Sequence, residues 1–161
     1  MEKSKKMTFG VLAILMMLLP FMLLLTACGS YEIEHGTYKI VGYTAINTST
    51  NENTNYSTED TLPVSFKFTS DLTLNDDGSV SDCLVINSYS IDGDGNVEFK
   101  YDDSVVFEGY FEGDVLHFNS GEYKSTEDIR NGTPDEQSTF YTIYAIYTLN
   151  GTPLPATDSA A

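Results

Sequence analysis

Val64-Ser65-Phe66-Lys67-Phe68-Thr69-Ser70-Asp71-Leu72-Thr73-Leu74 sets Val64, Phe66, Phe68, Leu72 and Leu74 on one parity, with only Ser70 breaking the row. Successive side chains of extended backbone point to opposite faces, so a period of two over this length predicts a half-buried strand across 64–74 and makes the fold all-β. Upstream, 36–45 reads as a strand with Tyr38 and Ile40 on one face and Val41 and Tyr43 on the other. Asn47 to Thr61, between the two, is almost wholly Asn, Thr, Ser, Glu and Asp and predicts a solvated loop. Downstream, Asp76-Asp77-Gly78 and Asp92-Gly93-Asp94-Gly95 supply hairpin turns on either side of a strand at about 79–91. Val97, Phe99 and Tyr101 alternate in the next strand, and Asp102-Asp103 turns the chain into Val105, Phe107 and Phe111. Glu112-Gly113-Asp114 leads into Val115 to Phe118, and a short strand is expected at Glu122-Tyr123-Lys124. A second polar loop, Ser125 to Ser138, precedes Thr139 to Leu149, which is apolar or aromatic on both faces. After Cys28 no stretch carries apolar residues at convincing helical spacing.

Seven or eight short antiparallel strands joined by tight turns form a meander. Closing it into a barrel removes its edges, and two packed sheets of a β-sandwich are the alternative. With strands at 36–45, 62–75, 79–91, 96–101, 104–111, 114–119, 121–124 and 139–149, the long polar loops are the first and seventh connections. Both are odd, so Asn47–Thr61 and Ser125–Ser138 are expected to rim one mouth. Losing the strand at 121–124 would send the second loop to the opposite end. Residues 152–161, with Pro153 and Pro155, are expected to be a disordered tail.

The N-terminus has a separate character. Lys3, Lys5 and Lys6 precede a run from Phe9 to Ala27 without a charge, the basic and apolar regions of an export signal. The run closes on Leu25-Thr26-Ala27-Cys28, which resembles the lipobox of bacterial lipoproteins. That resemblance implies a diacylglycerol on the Cys28 thiol and cleavage just before it. The expected organisation is thus a signal peptide at 1–27, a lipid-anchored tether at 28–35 and a barrel domain at 36–151, on the extracytoplasmic face of a cell membrane. A transmembrane signal anchor over 9–27 is the competing reading, since roughly 20 apolar residues span a bilayer. Pro20 inside the run and the small-small-Cys edge weigh against it. A plain secretory signal with soluble release is a third.

The full chain has 161 residues and a formal net charge of −16. Without residues 1–27, 134 residues remain, with 5 basic against 23 acidic, a net charge of −18. That length suffices for one domain with a core. So negative a surface repels phosphate backbones, so no nucleic-acid partner is expected. With Cys28 taken by lipid only Cys83 is left, and no internal disulfide can form. Lying in Cys83-Leu84-Val85-Ile86, it is expected to be a small buried strand residue.

Chemistry is sparse. Asp92-Gly93-Asp94-Gly95-Asn96 spaces oxygen ligands like a calcium loop, but Val97 stands where such a loop needs Gly and Asp103 where it needs Glu. A tight turn is expected there. His35 and His117 lack partners at metal-ligand spacing, and no nucleophile elbow, Ser-x-x-Lys or phosphate-cradling loop occurs. No catalytic, cofactor or metal residues are therefore expected. The enrichment in tyrosine, including Tyr141, Tyr144 and Tyr147, suits sugar, peptide or lipid contacts as well as barrel building.

Gly36-Thr37-Tyr38-Lys39-Ile40, Leu72-Thr73-Leu74-Asn75-Asp76-Asp77-Gly78-Ser79 and the hairpin Phe107 to Phe118 resemble the repeating hairpins of lipocalin-like lipoproteins of Gram-positive gut bacteria. True lipocalins begin Gly-x-Trp; here Gly36-Thr37-Tyr38 stands in a chain without tryptophan. The resemblance implies a barrel over 36–151, and the function expected of it is binding of a small apolar ligand or a surface component. A structural or interaction lipoprotein with a solid core is the alternative, and an envelope hydrolase the least expected.

Overall fold

The structure, a computed structural model, describes residues 31–154. Cys28, the expected signal peptide and the part of the expected tail beyond residue 154 lie outside the described residues. Nine strands form one antiparallel sheet: β1 (Gly36–Asn47), β2 (Asn53–Ser57), β3 (Leu72–Leu74), β4 (Val80–Ser81), β5 (Ser88–Ile91), β6 (Asn96–Tyr101), β7 (Ser104–Glu112), β8 (Val115–Lys124) and β9 (Phe140–Leu149). Eight of them run in the order β4-β3-β1-β9-β8-β7-β6-β5, and β2 lies beside β1 off that path. The two ends of the row meet where Ser79 bridges Ser88. There the Val80 N–H donates to Asn87 O (3.0 Å) and the Tyr89 N–H to Gly78 O (2.8 Å). The sheet thus closes almost completely into a barrel, as the meander requires.

The wall has one discontinuity that decides what fills the inside. β1 pairs with β9 along one edge, while its other edge takes β2 at Gly42–Ile46 and β3 at Gly36–Tyr38. β2 and β3 are therefore two halves of a single strand position. The chain between them, residues 58–71, leaves the wall and returns through the interior. Leu62, Val64 and Phe68 of this excursion are buried. The Phe68 ring stacks on Phe118 (4.7 Å) and meets Phe107 edge-on (5.7 Å). Phe118 in turn touches Phe99 and Tyr147. The Tyr43 hydroxyl donates to Phe68 O (3.1 Å) and the Tyr147 hydroxyl to Ser70 O (2.8 Å). Burial pushes both phenols up, so both stay neutral donors, and they hold the excursion in place as a plug.

The expected strand over 64–74 is therefore corrected: only Leu72–Leu74 pairs. The alternation holds at Val64, Phe68, Leu72 and Leu74, which are buried, and fails at Phe66, which is 37% exposed; in the plug it marks burial inside a barrel without a ladder. The loop expected at 47–61 contains β2, whose polar side chains face solvent and leave no period to read. The strand expected over 79–91 is two short ones, β4 and β5. Asp82, at φ +65°, turns the chain out between them. Cys83 is half-buried in that loop rather than in a strand, beside a Leu84 that is 96% exposed. At 121–124 there is no separate strand, because β8 runs through a one-residue bulge at Ser120. The miscounts compensate: with β2 and β3 counted as one strand position, Ser125–Ser138 remains the seventh connection, an odd one. That loop carries a short helix, α1 (Thr126–Asn131), and a 3-10 turn at Asp135–Gln137. No side chain of α1 is buried, so no apolar spacing announced it.

Candidate functional site

Strand directions gather the connections 48–52, 82–87, 102–103 and 125–139 at one end of the barrel, here the loop end. The segment entering β1 and the one leaving β9 lie at the other. The two long polar segments do share this end, as expected for a mouth, but the plug stoppers it: the Thr126 N–H donates to Pro63 O (2.8 Å). Between the plug and the 125–139 loop lies an open groove of about 730 Å3, lined by Glu59, Asp60, Lys67, Glu127, Arg130 and Tyr141 among others.

Local chemistry fixes the groove walls. Ser125 caps α1, its Oγ accepting from the Asp128 N–H at 3.0 Å, and Gly132 ends the helix in the left-handed region at φ +66°. The Asp128 carboxylate accepts from the Thr139 N–H (2.8 Å) and the Ser125 hydroxyl (2.7 Å), which lowers its pKa, the Thr139 bond first. On the facing wall the Asp60 carboxylate accepts from the Ser57 N–H (2.6 Å), the main cause of its own lowered pKa. The Lys67 ammonium donates to Asp60 O (2.6 Å) and Thr58 O (3.3 Å) and lies 5.4 Å from the Tyr43 ring centre. Asp60, Asp128 and Lys67 thus build the walls, leaving Glu59, Glu127 and Arg130 exposed for contact with solutes. The set suits ionic and hydrogen-bonded recognition of a polar group.

The remaining sequence candidates are scattered. The Asp92 carboxylate serves its own hairpin turn, accepting from the N–H groups of Asp94 and Asn96 (both 2.9 Å) and the Asn96 amide (2.8 Å), with Gly95 at φ +87°. Those bonds, from Asn96 above all, hold its carboxyl below the usual range. Among the described residues no three His, Cys, Asp or Glu side chains gather as a metal set. His35 Nδ1 lies 3.2 Å from the Tyr89 hydroxyl at the terminal end, whereas His117 faces outward on β8. The tyrosines of β9 divide: Tyr147 is core, Tyr141 lines the groove, and Tyr144 meets Tyr110 edge-on outside the barrel. Sequence reasoning missed Lys67 and Arg130, which had been one residue of a supposed strand and one of a supposed loop. No known protein family matches the chain, nor does any curated protein or any solved structure.

Proposed function

We propose that the chain is a lipoprotein anchored through Cys28 on the extracytoplasmic face of a cell membrane, whose barrel binds a polar surface or envelope component at its loop end, without catalysis. The groove between the plug and the 125–139 loop carries this reading. A small apolar ligand held inside the barrel would have to displace Phe68, whose place among Phe107 and Phe118 favours a solid core. Anchoring is supported by the basic start, the uncharged run and Leu25-Thr26-Ala27-Cys28. Only residues 29–35 separate Cys28 from β1, which begins at the end opposite the groove.

Two arms test the proposal in bacterial cells. The wild-type chain should incorporate an alkyne-tagged palmitate, and Cys28→Ser should not; label on the variant would refute the anchor. Sedimentation of residues 29–161, which carry no lipid, with an isolated envelope fraction should retain the unsubstituted protein and lose Glu59→Lys/Glu127→Lys by at least tenfold. Equal retention would refute the groove as the binding surface.

A further inference from the structure

The β7–β8 hairpin is paired from Glu112↔Val115 to Glu108↔Asn119, and there its ladder stops. Both strands continue. β7 stays on β6 as far as Ser104↔Tyr101, and β8 stays on β9 as far as Lys124↔Phe140. Each strand carries a one-residue bulge at the point of separation, Val106 against β6 and Ser120 against β9. Bulges bend and twist a strand, and two of them across one seam drive its upper halves apart. A shallow cleft of about 320 Å3 opens between them, lined by Val105, Val106, Phe107, Asn119, Ser120 and Gly121 among others.

Three features of the cleft point to what would fill it. The facing edges of 104–107 and 120–124 have no ladder between them: the Gly121 N–H donates to Asn119 Oδ1 (2.9 Å) and the Tyr123 hydroxyl to Ser120 O (2.5 Å), and no strand pairs the other main-chain groups on this side. The plug does not supply one. Phe66 stacks on the Tyr123 ring (4.7 Å) and Phe68 touches Phe107, but among the described residues no main-chain hydrogen bond joins 64–71 to either strand. Second, Ser120 is 3% exposed and its buried Oγ has no hydrogen-bond partner. A buried hydroxyl left unpaired in a native fold calls for a partner, an ordered water or an incoming group. Third, Val105 (47%) and Val106 (42%) are exposed, and Asp102, Asp103, Glu108 and Glu122 are exposed around them. The nearby cations are engaged, Lys100 by Glu98 and Lys124 by Asp135.

We propose that this cleft is a strand-addition site for an extended polypeptide segment that alternates basic and apolar residues. Only a main chain offers donors and acceptors at strand spacing, and four residues of it span about 13 Å. Its apolar side chains would cover Val105 and Val106, and its cations would meet the carboxylates around the cleft. The site is separate from the loop-end groove and does not depend on how that groove is used.

The full chain would be titrated with a heptapeptide alternating lysine and valine, with the same peptide N-methylated at alternate amides, and with a glutamate-valine counterpart. Hydrogen exchange would be followed by mass spectrometry. The lysine peptide is expected to bind and to protect 104–107 and 120–123. N-methylation and the glutamate exchange should each weaken binding at least tenfold, and Glu108→Lys at least threefold. The proposal fails if the lysine peptide does not bind, if the N-methylated peptide binds equally, or if protection falls elsewhere. It also fails if 104–107 already exchanges slowly in the free protein, or if two copies of the chain pair through these edges instead.

Discussion

The imidazole of His117 lies flat against the Tyr110 ring, 4.6 Å between centres and 3° between planes, with Nε2 3.4 Å from the Glu112 carboxylate. Burial draws its pKa below the ordinary 6.5, and Glu112 opposes this without reversing it. The folded protein therefore resists protonating a group that the unfolded chain protonates readily. Stability falls as pH drops from about 6.5 toward the lower folded pKa, and no further below it. We expect His117→Gln to remove that part of the decline in urea unfolding measured from pH 7.5 to 5. An unchanged pH profile would contradict the assignment. At this scale the sequence conceals one-residue irregularities. A bulge at Val41 lets Tyr38 and Tyr43, five positions apart, both face the core, which no unbroken period of two allows. Cys83 was misplaced because three apolar residues follow it, although only Ile86 among them is buried.

The plug is an element without secondary structure, and its role rests on Phe68. Phe68→Ala should cost about 3–5 kcal/mol, the usual range for removing a buried phenyl ring. It should also leave an apolar void among Phe107 and Phe118 that stays dry and admits a small aromatic molecule. A thermal shift with benzene seen in the variant and not in the wild type would establish this; an equal shift in both would show that the wild-type interior is already hollow. The strands read best from sequence were those inward on one parity and bounded by aspartate-rich turns, such as β6, where Val97 and Phe99 are fully buried. Those read worst lacked a buried face. β2 is Asn-Thr-Asn-Tyr-Ser, held by pairing to β1 alone, and α1 rests on its caps rather than on packing. The groove inherits both failures, because its walls are the plug and the α1 loop. The loops were legible as its rim, whereas the side chains lining it were not.

For the whole molecule the dominant long-range force is its own charge. Few of the carboxylates meet a cation: Lys100–Glu98 and Lys124–Asp135 are the lysine–carboxylate pairs among the described residues. Self-repulsion at a net charge of −16, or −18 without residues 1–27, opposes the compact state. Raising NaCl from 0.01 to 0.5 M shortens the screening length from about 30 Å to about 4 Å. Tm should then rise by a few degrees; a flat or falling Tm would mean that local ion pairs outweigh the net repulsion. Barrel closure was legible because tight turns recur along the chain. The seam that closes it was not, since it rests on a single bridge between Ser79 and Ser88. The other long-range junction, β1 with β9, matches Gly42 to Ile146. Every other ladder joins residues made much closer together in time. While the chain is being synthesised, β1 has no partner on that edge until the final strand appears, so the first strand completed is among the last to be fully housed. Docking β1 on β9 is a high-contact-order step, and folding of this barrel should be slow beside the formation of its hairpins.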